Sequence, residues 1–158
     1  MKKKIGFMIA FAIYSSFVIG QTSSVSKIVN GPAFESLTIS GPVEVELIES
    51  ETPSLEILGS YDFVNGLSTR WSKKSLSLTF TKDANACNAP VKVYVKNLTS
   101  ITLENGARVI TPKPLHSGNI LINIYGESYA RIVNYGGINV YSDEDYSVKK
   151  FNYVSSQL

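Results

Sequence analysis

The sequence predicts a single all-β domain built as a solenoid. Two observations carry the class. From Phe34 onward, apolar and polar residues alternate at period two, in short runs bounded by Gly, Pro, Asn or Ser. No long segment shows helical apolar spacing with caps. A third observation selects the architecture. In the second half, strand starts at Ile101, Ile120 and Ile138 fall 19 and 18 residues apart, with Gly or Asn at the corners between short strands. A repeat of about 20 residues suits a β-solenoid rung, which buries its inner face only by stacking on its neighbours. The alternative is a β-sandwich with Greek-key links.

Of the 158 residues, 1–20 read as a secretory signal peptide. Lys2, Lys3 and Lys4 form its basic start, residues 5–19 an uncharged apolar run, and Val18 and Gly20 suit the small positions of a cleavage site at Gly20-Gln21. The run has 15 residues, against the roughly 20 that a spanning helix needs. The mature chain is therefore expected to carry no transmembrane segment. Three of the 15 Lys and Arg lie in the leader and no acidic residue precedes Glu35, so 12 basic side chains then face 13 acidic ones. That balance supplies no cationic footprint for phosphate, which argues against nucleic acid as a partner. Polarity comes instead from 21 Ser, 9 Thr and 11 Asn.

Residues 21–33 are small and polar, with Gly31-Pro32 as a breaker, and read as a flexible lead-in. The strands follow. Leu37 and Ile39 alternate with polar residues, as do Val43, Val45 and Leu47, then Leu55 and Ile57. Asn65-Gly66 is a hairpin signal, and Lys73-Lys74-Ser75 a turn before Leu76, Leu78 and Phe80. Cys87, alone in the chain, falls in the polar stretch 83–90 and reads as a free thiol in a loop, so core packing must hold the fold. Val91, Val93 and Val95 make the next strand, and Ile101 and Leu103 the one after. The stretch 103–109 is then echoed by 124–132, and 39–45 has a similar apolar–turn–apolar shape. Gly41, Gly106 and Gly126 are the turns this pattern requires, because glycine takes left-handed backbone angles at no steric cost. Residues 142–158 break the pattern and read as a cap over the open end of the stack, or a tail.

These residues carry a family resemblance. Phe34-Glu-Ser-Leu-Thr-Ile-Ser-Gly41, the pair Val43 and Val45, the strands at 76–78 and 91–95, the stretch 98–107 and its echo through Gly126 resemble the putative auto-transporter adhesin head GIN domain family. The resemblance implies export from a Bacteroidota-type bacterium, and a right-handed parallel β-helix-like solenoid over residues 34–141. It carries over no catalytic residue. Two departures stand out: Asn97 occupies a position where the family often has Pro, and the chain has fewer Gly-bearing rungs than many members.

Candidate chemistry is sparse. One His and one Cys do not build a zinc site. The acidic run Asp143-Glu144-Asp145 lacks the Gly and Glu spacing of an EF-hand and reads as a solvated turn. No metal and no cofactor are expected. Glu104 and Glu127, near equivalent positions of the echo, read with Arg108 and Arg131 as a surface ladder of opposite charges rather than a hydrolytic pair. Asn97-Leu-Thr99 matches a eukaryotic glycosylation acceptor and, in a bacterial chain, reads as chance. Tyrosine is the suggestive feature: six of nine lie between Tyr125 and Tyr153. Tyr125, Tyr129, Tyr135 and Tyr141 are the candidate binding residues, since a Tyr ring offers a flat apolar face and a polar tip at low entropy cost. The functional expectation is an exported, non-enzymatic module, in the periplasm, on the cell surface or released. It would bind a glycan, an envelope component or a host-surface protein, as an adhesin or an envelope scaffold. The alternative is a structural protein that self-associates through solenoid ends, and a carbohydrate-active enzyme comes third.

Overall fold

The computed structural model describes residues 24–81 and 89–143. The leader at 1–20, the thiol of Cys87, and the tail beyond Asp143 lie outside the described residues. The order is β1 (Val25–Asn30), β2 (Ser36–Ser40), β3 (Glu44–Glu49), β4 (Ser54–Gly59), α1 (Tyr61–Gly66), β5 (Leu67–Trp71) and β6 (Ser75–Phe80). Then come β7 (Val91–Val95), β8 (Ser100–Glu104), β9 (Arg108–Ile110), β10 (Ile120–Ile124), β11 (Tyr129–Arg131) and β12 (Ile138–Ser142).

These strands form two six-stranded sheets, β1-β4-β7-β3-β9-β11 and β12-β10-β8-β2-β6-β5. Both are mixed, and this overturns the predicted parallel β-helix-like solenoid. β1 and β7 flank β4 antiparallel, and β5 runs antiparallel to β6, while the remaining neighbours pair in parallel. In a solenoid each rung touches only the rungs next to it in sequence. Here β2 lies between β8 and β6, and β3 between β7 and β9. The Greek-key sandwich is displaced too, because most neighbouring strands are parallel. The 18- and 19-residue spacing describes only a local feature, the parallel pairing of β8, β10 and β12.

The period-two residues do face inward. Leu37, Ile39, Val45, Leu47, Leu76, Leu78, Val91, Val93, Ile101 and Leu103 are completely buried, and both sheets contribute to one apolar core. Three chain crossings from the second sheet to the first share one device. The turns β2–β3, β8–β9 and β10–β11 contain Gly41 (φ 98°), Gly106 (φ 82°) and Gly126 (φ 60°), all in the left-handed region. Asn105 (φ 57°) precedes Gly106, so Asn105-Gly106 makes a corner between sheets rather than a hairpin.

Asn65-Gly66 also differs from the expected hairpin turn, because it ends α1. Ser60 caps that helix, its Oγ accepting from the Phe63 backbone N–H at 3.2 Å. Phe63 and Val64 are buried, and Phe63 packs edge-on against Phe80 at 5.2 Å between centroids. A helix of six residues is too short to show a periodic pattern, which is why only the Asn65-Gly66 turn signal was legible there.

Candidate functional site

The four candidate tyrosines occupy three places. Tyr125 follows β10 and Tyr141 lies in β12, and their rings meet with centroids 6.3 Å apart at 60°. Tyr129, 52% exposed, sits on β11 of the other sheet, opposite Arg108 of β9, which is itself opposite Glu44 of β3. Tyr135 lies on the β11–β12 connection and stacks on His116 at 4.4 Å and 29°. No single face holds all four.

The His116–Tyr135 stack borders a concavity. Leu47, Ile48 and Glu49 of β3, Pro112, Lys113, Pro114 and His116 of the β9–β10 connection, and Tyr135 line a cavity of about 590 Å³. Glu49 ends β3, and its Oε2 lies 2.7 Å from His116 Nδ1. Its Oε1 accepts from the His116 backbone N–H at 3.3 Å. One carboxylate thus fixes both ring and main chain of His116, and the ring in turn supports Tyr135. Behind the groove, the two long connections are held together. Leu115 bridges to Asn134 in parallel register, and buried Asn134 donates from Nδ2 to the Gly118 carbonyl at 2.8 Å. Nothing in the sequence pointed to this site: Glu49 and His116 are 67 residues apart, and only the sheet arrangement brings them together.

The acidic candidates resolve differently from their expected ladder. The register places Tyr129 opposite Arg108, and Arg131 opposite Ile110, so the echo is shifted from the one read in the sequence. Glu104 lies beside Ser40, not beside Glu127. Opposite charges do alternate elsewhere, on the outer face of the first sheet. Glu56 of β4 pairs with Lys92 of β7 at 3.4 Å, and Glu46 of β3 is opposite Lys92. Tyr94 donates its hydroxyl to Glu56 Oε2 at 3.1 Å. Desolvation, and next this hydrogen bond to an anion, raise the Tyr94 pKa above its ordinary 10.0. Asp143 accepts from the Gly126 N–H at 3.3 Å, whereas Glu144 and Asp145 lie outside the described residues. Among the described residues no group of three or more His, Cys, Asp or Glu is placed to hold a metal ion.

Comparison with known proteins adds three findings. Residues 33–144 match the family described as "Putative auto-transporter adhesin, head GIN domain". The fold resembles solved structures from Parabacteroides species. A putative adhesin from Parabacteroides merdae aligns with a TM-score of 0.63 at 18% identity, over 78% of this chain and 54% of that one. A putative adhesin from Parabacteroides distasonis aligns at 0.60 and 14%, over 78% and 58%. A protein of the same species described as a putative lipid binding protein aligns at 0.51 and 15%, over 78% and 61%. The chain thus spans between half and two-thirds of the length of these structures, and at such identities the likeness is one of fold. No curated protein matches the chain.

Proposed function

The chain belongs to the putative auto-transporter adhesin head GIN domain family, and on that premise we propose that it is an exported, non-enzymatic binding module of the cell envelope, adhesin-like or scaffolding. Residues 1–20 direct export and are removed near Gly20-Gln21, and the binding domain comprises residues 34–141 together with β1, which falls in the stretch 21–33 read as a lead-in and pairs with β4. The observation that carries the reading is the groove in which Glu49 anchors His116 and His116 supports Tyr135. Its volume of about 590 Å³ falls within the range of ligand pockets, and apolar walls with a few convergent polar groups are their usual lining. The lining holds one carboxylate, Glu49, where both hydrolytic geometries for glycosides need two. Among the described residues no helix is long and apolar enough to cross a membrane.

The test is a binding array of residues 21–158 against bacterial and host glycans, matrix proteins, phospholipid vesicles and the protein itself. Vesicles are included because one structural neighbour is described as lipid-binding. A specific signal weakened about tenfold or more by Tyr135→Ala or His116→Ala supports the groove as the contact site. If every ligand detected is bound equally by both variants, the groove is removed from the reading.

A second reading has its own observation. β11 and β12 end their sheets on the same side, and Ile138 and Val140 of β12 are only partly buried. Strand edges of this kind template pairing with another chain. Mass that rises with concentration in sedimentation, and falls back in Val140→Lys, supports assembly through that end. A strict monomer at high concentration removes it.

A further inference from the structure

The two sheets present different chemistry to solvent. On the first, charges alternate across strands, as Glu56, Lys92 and Glu46 show. The second sheet carries hydroxyls and amides instead. Its parallel register is unbroken from β12 to β6, so outward side chains line up in rows across the strands. One row reads Tyr141, Asn123, Thr102, Thr38 and Ser77, ending at Arg70 on the far edge strand β5. The next is headed by Tyr125, one residue beyond Ile124, and continues Glu104, Ser40 and Thr79. A third reads Asn139, Leu121, Ser100, Ser36 and Ser75, with Leu121, 44% exposed, as its apolar member. The alternate residues of the same strands, such as Leu37, Ile39, Ile101 and Leu103, are buried in the core, which fixes these rows on the solvent side.

The result is a regular grid, with strands about 4.8 Å apart and same-face side chains about 6.7 Å apart along each strand. It is nearly free of charge inside its borders: Glu104 is the one charged residue in the rows, and Arg70 stands at the edge. Two rows begin at the Tyr125–Tyr141 ring pair, and Tyr141 is 56% exposed. Asn123 reaches along its row to Thr102 Oγ1 at 3.4 Å.

This chemistry selects among partners. An anionic polymer needs clustered Lys and Arg. A bilayer surface needs an apolar face with cations. A protein interface draws on aromatic, Met and Arg residues and is depleted in Ser. Short hydroxyl side chains lose little rotamer freedom on binding, and each hydroxyl both donates and accepts. That matches a polymer whose own surface is a neutral array of hydroxyls, and flat Tyr rings supply stacking area for the apolar face of a sugar ring.

We infer that the outer face of the second sheet is a binding surface for a neutral polysaccharide, which lies across the strands with sugar rings against Tyr125 and Tyr141. The inference rests on the binding-module reading and adds to it a ligand class and a surface distinct from the groove.

The experiment is co-sedimentation of the purified protein with cellulose, chitin and insoluble β-glucan. Affinity electrophoresis in a soluble neutral glucan runs alongside, with polygalacturonate as the anionic comparison. Retention on at least one neutral polysaccharide is expected. Tyr141→Ala and Thr38→Lys are each expected to weaken it about tenfold or more, and Lys27→Ala, on β1 of the first sheet, to leave it unchanged. Should Thr38→Lys fail to fold, Tyr141→Ala at its exposed edge position decides the matter. Equal retention by the folded face variants overturns the inference, as does binding confined to polygalacturonate. Absence of any neutral-glycan binding, together with a protein or vesicle signal sensitive to His116→Ala, overturns the inference but leaves the binding module standing. Silence against every probe removes both.

Discussion

At the scale of single residues, the same amino acid carries different weight in different surroundings. A Cβ placed on Gly41 would lie 1.9 Å from the Phe80 carbonyl oxygen, and its φ is +98°. Gly106 shares the left-handed backbone, at φ +82°, but faces open space. Gly106→Ala is expected to cost about 1–2 kcal/mol, the penalty of a left-handed L-residue. Gly41→Ala should cost clearly more, because backbone must move as well. Urea denaturation of the two variants side by side measures the difference. Tyr94 offers a pH-dependent case. Its pKa is raised in the folded chain, so its neutral form is favoured there. That share of stability is fully present below the ordinary value of 10.0 and is lost as pH rises through the folded value. Stability is therefore expected to fall above about pH 10, and less steeply in Tyr94→Phe. Denaturation midpoints across alkaline pH test this. Glu49 shows how little a residue reveals alone. In the sequence it is one acid among 13, yet in the fold it positions the groove's only histidine.

At the scale of elements, alternation was an accurate guide to orientation and a poor one to pairing. Every apolar position in the β7 pattern, Val91, Val93 and Val95, is buried, as are Leu76, Leu78 and Phe80 of β6. β8, parallel to both its neighbours, shows the same period as β6 and β7, which each have one antiparallel neighbour. Side-chain direction alternates in either arrangement, so the pattern is blind to strand polarity. The helix α1 was hidden for a different reason. Its signals are local, Ser60 as cap and Asp62 in the first turn, and they stand beside apolar residues that also fit a strand. Ser60→Ala should destabilise the protein by about 1 kcal/mol, the usual worth of such a cap, without altering the sheets. Thermal denaturation followed by circular dichroism checks both halves of that statement.

At the scale of the whole molecule, the sheets place stability at their centres. β2 and β8, and β3 and β7, have strand neighbours on both sides, whereas β1, β5, β11 and β12 are edges. Amides of the central strands are expected to exchange hydrogen only on global unfolding, and edge amides through local openings several kcal/mol cheaper. Native-state hydrogen exchange reads this directly, and protection of β12 equal to β8 would contradict it. Inward and outward positions, the glycine corners at 41, 106 and 126, the near-neutral charge and the family resemblance were all legible in the sequence. Each depends on neighbours a few residues away, on composition, or on a pattern repeated along the chain. The mixed sheets, the meeting of Glu49 with His116, the Tyr125–Tyr141 pair and the rows of hydroxyls were decided by the tertiary structure alone. They depend on which strand lies beside which. Backbone hydrogen bonds settle that choice between segments far apart in sequence, and those bonds are formed by main-chain groups that every residue type but proline supplies alike.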